Sequence, residues 1–241
     1  MRHLFAGFLL VIIPLSTSAH FIWIVPGPNA PPQKVMVYFG DRLQPDKPEL
    51  LKTVAHTSLS AHRSNGKAAD LKIVPSRSSK EGHYEVSLPK QDISIVTGHC
   101  KWGVHTLKEL GESTPFLLHY HVKAVLKSAE KESAGKSFPG MKAEIIPIFK
   151  EGMLHLRVLF NGKPVSKVRV TILVPGQKKI LSYRTRRNGE CRIKPSRSGI
   201  YAIWVLAGVE KTSGKHGEKS YEEIRHYATL TVAVSQKRES K

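Results

Sequence analysis

The sequence predicts an all-β protein made of two antiparallel β-sandwich modules, the C-terminal one immunoglobulin-like or transthyretin-like. Short apolar or alternating runs recur about every 8–12 residues, a spacing that is typical of sandwich strands. Turn-forming pairs such as Asn161-Gly162 and Asn188-Gly189 separate these runs. Only segment 48–55 has a helical pattern, and it is short.

Residues 1–19 have the pattern of a secretory signal peptide. A short basic start (MRH) precedes the apolar run 4–15, and Thr17 and Ala19 are small enough for the −3 and −1 positions of a cleavage site. The run is well below the roughly 20 residues that span a bilayer as a permanent helix. We therefore expect an exported protein, periplasmic or extracellular, with no transmembrane segment after cleavage. An uncleaved anchor is the alternative.

The N-terminal module is predicted to span residues 20–128. Its expected strands are runs bounded by Pro, Gly, Asn or Ser, at 21–25, 35–39, 71–74, 84–88, 93–97 and 117–126. Residues 129–141 are polar, charged and poor in apolar side chains, which indicates a linker or a long loop.

The C-terminal module is predicted to span residues 142–235. Its expected strands lie at 144–149, 154–160, 168–174, 180–185, 191–194, 200–206 and 228–234. A long loop is expected at 207–223, and the charged segment 236–241 predicts a disordered tail. The G-K-P-V strand pair, the Asn-Gly hairpin and the G-x-Y strand resemble immunoglobulin-like or transthyretin-like scaffolds, whose fold alone assigns no activity.

Several stretches together resemble a family of secreted bacterial proteins. They are 19–26 (AHFIWIVP), 37–40 with 45–51, 116–126 (FLLHYHVKAVL) and 221–230 (YEEIRHYATL). The family is an uncharacterised one labelled nickel-uptake substrate-specific, or NikM-like, and this chain is similar to its planctomycete-type members. The resemblance implies an exported two-part β protein with a nickel or cobalt role beside a metal-uptake system. The family's start, A-H-D-F-W, contains an acidic residue that this sequence lacks. A ligand role of that acidic residue therefore cannot be transferred to this chain.

His20 is the first candidate metal ligand, because cleavage after Ala19 makes it the first residue of the mature chain. A free α-amine and the imidazole Nδ1 of one residue can chelate a metal ion together. One further imidazole would complete a histidine brace, and tetragonal nitrogen ligands suit Cu(II) or Ni(II). Cleavage one residue away would remove this chelate.

His119, His121 and His226 are the remaining candidate ligands. Residues i and i+2 of a strand project from the same face, so His119 and His121 can meet one ion. His226 precedes the last predicted strand and is a candidate partner for His20 or for the strand pair. Solvated or hydrogen-bonded structural histidines are the alternative for all three.

His99, Cys100 and His105 form a further group with irregular spacing. Because it combines a thiol with imidazoles, it is a candidate site for a softer ion such as Cu(I), or for zinc. Cys100 and Cys191 form either a disulfide or two independent thiols. Histidines in polar or turn contexts are expected at the surface: His56, His62, His83, His155 and His216.

The sequence contains no familiar catalytic pattern. It has no G-x-S-x-G elbow, P-loop, dinucleotide fingerprint or H-E-x-x-H. We therefore expect no catalytic residues and no organic cofactor. A copper-dependent oxidase that uses the histidine brace is a lesser option.

The chain is strongly basic, with a formal net charge of +19. Lys and Arg concentrate in segment 178–197, which indicates an anionic partner or simply a solvated basic surface. Nucleic acid is not expected as the partner, because aromatic residues are only 7% of the chain and export separates the protein from the genome. An anionic envelope polymer fits better.

The predicted function is therefore binding or transfer of a divalent transition metal (nickel, cobalt or copper) by an exported, non-enzymatic protein. The predicted ligands are His20 and the strand histidines, and the predicted partners are the metal ion and a metal-uptake system. The alternative function is a structural or adhesive envelope module whose basic surface binds an anionic polymer.

Overall fold

The structure of the protein is a computed structural model that describes residues 20–28, 32–44, 46–63, 68–75, 82–90, 92–108, 111–126, 137–138, 140–178 and 180–235. The predicted signal peptide (1–19), most of the predicted linker and the predicted tail (236–241) lie outside the described residues. The module boundaries at these segments stay predictions.

The described residues form strands almost throughout, with one short helix, so the all-β prediction is confirmed. The helix α1, Pro48–Lys52, lies within the predicted helical segment and starts at a proline, which suits a first helical turn. The strands are β1 Phe21–Pro26, β2 Lys34–Gly40, β3 Ser58–Arg63, β4 Ala68–Leu71, β5 Val74–Pro75, β6 Tyr84–Ser87, β7 Ile93–Leu107, β8 Glu112–Val125, β9 Ala143–Lys150, β10 Met153–Phe160, β11 Lys163–Pro164, β12 Arg169–Leu173, β13 Ile180–Arg184, β14 Glu190–Ile193, β15 Gly199–Glu210, β16 Gly214–His216, β17 Lys219–Tyr221 and β18 Glu223–Val234.

A central eight-stranded sheet joins the two halves of the chain. Its strand order is β13-β12-β15-β18-β8-β7-β3-β4, so four strands come from each half. The strands at the junction, β18 and β8, pair in parallel from Glu223 opposite Phe116 to Val232 opposite Val125. The sequence did not indicate this parallel pair, because no local pattern of residues specifies which distant strand will pair with a given strand.

Two smaller sheets cover opposite faces of the central sheet. The sheet β1-β2-β6-β5 packs on one face, and the sheet of β9, β10, β11 and β14 packs on the other. Both cores take side chains from both halves of the chain: Ala202 lies in the first core, and Ile95 and Val125 lie in the second. The two halves are therefore continuous through one sheet.

Strand β1 is fixed to the central sheet by hydrogen bonds from side chains. The hydroxyls of Thr229 and Thr231 on β18 donate to the carbonyls of Ile22 and Ile24, at 2.8 and 2.5 Å. The Tyr120 hydroxyl on β8 donates to the carbonyl of His20 at 2.7 Å. These bonds satisfy backbone acceptors that would otherwise be buried without partners, and they place His20 on this face of the sheet.

Segment 207–223 is not the long loop that its composition predicted. Strand β15 continues to Glu210, and the hairpin β16–β17 turns at Gly217, whose φ is 60°. The prediction was wrong because the backbone of this segment still pairs with β18, up to Glu210 opposite Ile224, although its side chains are largely polar. Strand β7 also extends ten residues beyond the predicted end at 97, since it follows β8 along its whole length.

No helix among the described residues is long and apolar enough to cross a membrane.

A buried ion pair links the central sheet to the second covering sheet. Lys123 Nζ on β8 lies 2.7 Å from Glu144 Oε1 on β9, and both side chains are almost fully buried. The other carboxylate oxygen, Glu144 Oε2, accepts the Ser137 hydroxyl at 2.8 Å and the Phe138 amide at 3.2 Å. Burial lowers the pKa of Lys123, while Glu144 opposes that shift. The carboxylate thus holds residues 137–138 against the sheet.

Replacing Glu144 is expected to destabilise the protein strongly. In Glu144→Gln, a buried ammonium loses its countercharge, which costs about 3–5 kcal/mol in the free energy of unfolding. Urea denaturation followed by circular dichroism measures the change. The matched control is Glu151→Gln in the exposed pair Lys150–Glu151, where we expect less than about 0.5 kcal/mol. Equal effects of the two substitutions would contradict the proposed role of the buried pair.

Candidate metal centre

Four histidines on three adjacent strands of the central sheet form one group. His119 and His121 project from the same face of β8. His99 on β7 lies opposite His121, and His226 on β18 lies opposite His119. We call His99, His119, His121 and His226 the four-histidine cluster. The structure therefore brings together three of the predicted ligands and adds His99.

The imidazoles of this cluster are in close contact. One ring nitrogen from each of His99, His119 and His121 lies within 4.8 Å of the other two. His99 Nε2 is 3.1 Å from His119 Nδ1, and His121 Nε2 is 3.1 Å from His226 Nδ1. At such distances one nitrogen must carry a proton and the other must offer its lone pair. The cluster therefore consists of two hydrogen-bonded imidazole pairs.

The cluster is held in its neutral form. His121 and His226 are buried, and His99 and His119 are half-buried. Burial, reinforced by the neighbouring histidines, lowers the pKa of His119 to about 3 and that of His121 to about 2. Burial also lowers the pKa of His99 and His226. Neutral imidazoles keep a lone pair, which is the state that binds metal ions.

Three buried nitrogens of the cluster have no hydrogen-bond partner within the described part of the chain. They are His119 Nε2, His121 Nδ1 and His226 Nε2. Buried polar atoms in native proteins are nearly always bonded, so an exception requires an explanation. A metal ion would supply the missing interaction if it bound at these atoms.

A carboxylate lies behind one of the rings. His226 Nε2 is 3.4 Å from Glu210 Oε2, a contact that lacks hydrogen-bond geometry, and Lys142 Nζ donates to both Glu210 oxygens at 2.8 and 3.1 Å. The hydrogen bond from Lys142 keeps the pKa of Glu210 below its usual value. The carboxylate is therefore ionised beside His226, as in sites where a carboxylate orients a metal-binding histidine.

His20 does not join the cluster. Tyr120 lies between His119 and His121 in sequence and so projects from the opposite face of β8, where its hydroxyl holds the His20 carbonyl. The His20 ring lies beside Phe39, and its Nε2 is 2.9 Å from Asp46 Oδ2. The prediction of a single site that combines His20 with the strand histidines is therefore corrected. His20 and the strand histidines lie on opposite faces of the sheet, because β1 packs on the face that carries Tyr120.

The group of His99, Cys100 and His105 is also divided. The pairing of β7 with β8 shifts between Lys101 and Gly103, so His105 lies opposite Phe116 and faces away from His99. Cys100 projects to the same side as His105, with its sulfur 3.4 Å from His56 Nε2. A bulge is not visible in strand periodicity, which gives positions 99 and 105 the same face.

The outcomes for the remaining candidate residues differ. His83 is buried rather than superficial, since its ring packs against Tyr38. The basic side chains of the C-terminal half lie in solvent at Lys178, Arg184, Arg186, Arg187, Arg192, Lys194 and Arg197.

Comparison with known proteins identifies a family. The family model described as "Domain of unknown function (DUF4198)" matches residues 17–209. The chain belongs to this family. The matched region contains three of the four cluster histidines and His20, and the family description assigns no activity to them.

Other comparisons add little. The curated proteins include no match to the chain. Among solved structures, the chain is similar to the FN1–FN3 domains of chicken CNTN1, with 11% identity and a TM-score of 0.25. That similarity covers 90% of this chain and 65% of the other. At such a low score it carries no argument, so the assignment of the fold rests on the strands described above.

Both cysteines are free thiols in separate cores. Cys100 lies in the core under β1, and Cys191 lies in the core under β10. Burial raises the pKa of each thiol to about 11. The thiolate, which is the reactive form, is therefore scarce at neutral pH.

We expect both thiols to be inert in the folded protein. At pH 8 a chromogenic disulfide reagent should label neither Cys100 nor Cys191 until denaturant is added, after which it should label both. Because the thiol pKa is raised by folding, this contribution to stability is complete below the unfolded pKa of about 8.5 and is lost as the pH rises towards 11. Rapid labelling of the native protein would contradict the described burial.

Proposed function

We propose that this protein is exported, is not an enzyme, and binds a divalent transition metal ion at the four-histidine cluster, either to hold it or to hand it over. The observation that carries the proposal is the convergence of three imidazole nitrogens within 4.8 Å, supplied by the neighbouring strands β7 and β8. Support for export comes from the signal-like pattern of residues 1–19.

The donor set favours a particular class of ion. Imidazole suits nickel, copper and related first-row metals, whereas calcium and magnesium prefer oxygen ligands. The converging group contains only imidazoles, and Glu210 stands behind His226 rather than among the three nitrogens. Nickel, cobalt and copper are therefore the ions to test, in agreement with the nickel or cobalt role implied by the resemblance.

A purely structural role explains the cluster less well. Apolar side chains would fill this part of the sheet without leaving His119 Nε2 and His121 Nδ1 unbonded. The imidazoles, with Lys123, instead form a polar part of a face that is apolar along β18 through Ala228 and Leu230. Sites that break local packing rules in this way are commonly functional.

The exposure of the cluster is compatible with loading and release. The side chains of His99 and His119 are half-buried, while His121 and His226 are buried and the His226 ring packs against Phe160. The outer pair is therefore closer to the solvent than the inner pair. This arrangement supports exchange of the ion more than permanent burial.

Metal binding should depend on the cluster. Isothermal titration with Ni(II), Co(II) and Cu(II) is expected to show binding to a chain that begins at His20 and has an acetylated α-amine, so that the N-terminus does not form a chelate of its own. His119→Gln and His121→Gln should each weaken that binding by at least about tenfold, because each removes a ligand nitrogen. Mg(II) should not bind.

The matched control is His216→Gln, which removes a half-exposed imidazole from the β16–β17 hairpin. It should leave the affinity unchanged. The proposed function is wrong if the acetylated form binds none of the three ions, or if all three substitutions have the same effect. Circular dichroism of each variant shows whether the fold is retained.

A further inference from the structure

A cavity lined by two histidines lies on the face of the central sheet opposite the four-histidine cluster. Its volume is about 220 Å³, and its lining includes His20 and His105 with aromatic side chains from β1, β7, β8 and β18. We call it the aromatic cavity. The principal aromatic residues are Phe21, Trp102, Phe116, Tyr120 and Tyr227.

His105 is directed into this cavity by the irregular course of β7. The register shifts on both sides of it, between Lys101 and Gly103 and between His105 and Leu107. Gly103 has a φ of 141°, which side-chain-bearing residues rarely adopt. Bulges of this kind often re-aim a side chain beside a functional site.

The His105 ring is fixed, yet one nitrogen is unsatisfied. The ring stacks on Trp102, with centroids 4.0 Å apart and an interplanar angle of 20°. His105 Nε2 is buried and makes no hydrogen bond within the described residues. A rigid imidazole with an unbonded nitrogen beside a cavity is suited to bind a ligand there.

His20 lies at the same cavity with its distal nitrogen already engaged. Its Nε2 is 2.9 Å from Asp46 Oδ2, and its carbonyl is held by the Tyr120 hydroxyl. A histidine that binds metal commonly donates its other ring N–H to a carboxylate. With Nε2 directed to Asp46, Nδ1 is the ring nitrogen that can chelate together with the residue's own main-chain nitrogen.

We propose that the aromatic cavity becomes a second transition-metal site when the chain begins at His20. The α-amine and Nδ1 of His20 and the Nε2 of His105 would bind one ion, and Cu(II) is favoured because nitrogen ligands in a tetragonal arrangement suit it. The inference rests on the proposed export, since removal of residues 1–19 converts a non-basic amide into an amine that can bind metal.

This site is separate from the four-histidine cluster. The partner of His20 is His105 rather than His119, His121 or His226, because the central sheet lies between the two groups. Before cleavage the cavity lacks one of its three nitrogens. Copper binding at this place is therefore coupled to processing of the chain.

Matched chains with different N-termini test the proposal. Both chains begin at His20, one with a free α-amine and the other with an acetylated one, and each is titrated with Cu(II) while electron paramagnetic resonance is recorded. The chain with the free amine is expected to bind one additional Cu(II), with a tetragonal nitrogen signal that the acetylated chain lacks. His105→Gln in the chain with the free amine should remove this signal or weaken the binding by more than about tenfold.

Asp46→Asn tests the positioning of His20 by the carboxylate. The substitution should weaken the additional site by about 10–100-fold, as expected when the carboxylate behind a metal-binding histidine is lost. The matched control is Asp70→Asn, which changes an exposed carboxylate that accepts the Ser60 hydroxyl on the neighbouring strand β3. This control should leave the copper affinity and the resonance signal unchanged.

The proposal is overturned if the two N-terminal forms bind copper equally, or if folded His105→Gln retains the additional signal. It is also overturned if mass spectrometry shows that the secreted chain begins at a residue other than His20. Failure of the four-histidine cluster would appear instead as absence of binding in the acetylated form. The two proposals can therefore fail independently.

Discussion

The parallel pairing of β8 with β18 is the constraint on which the rest of the structure depends. It joins four strands from each half of the chain into one sheet and sets His226 beside His119 in register. The same pairing sets Tyr227 beside Tyr120 on the other face. Because side chains alternate along a strand, a register shift of one residue would exchange these two sets and remove both histidine sites.

The two faces of β8 carry different chemistry. One face presents His119, His121 and Lys123 in succession, and the other presents Tyr120 and Val122 to the core under β1. The polar face is accommodated in two ways. Lys123 remains close to the carboxylate of Glu144, whereas burial lowers the pKa of His121 so that this imidazole stays neutral. Neutral imidazoles avoid the cost of a buried charge and keep the lone pairs that a metal ion needs.

Much of the fold was predictable from local pattern. The strand around Leu156 alternates between apolar and polar residues, the strand around Val35 is a short apolar run, and Gly and Asn mark several strand ends. The hairpin β16–β17 and the far half of β7 were not predictable, because their side chains are polar and their strand state comes from pairing with a neighbour. Local propensity is a weak guide where pairing of the backbone decides the structure.

The sequence by itself determined the all-β class, the pairing of His119 and His121 on one face, and the candidacy of His20 and His226, because these follow from strand periodicity and from the chemistry of an N-terminal histidine. Only the tertiary structure decided which histidines meet. His99 joins the cluster through the pairing of β7 with β8, a bulge turns His105 away from it, and the packing of β1 places His20 with His105. Register, bulges and layer order arise from contacts between distant segments, and no local run of residues encodes them.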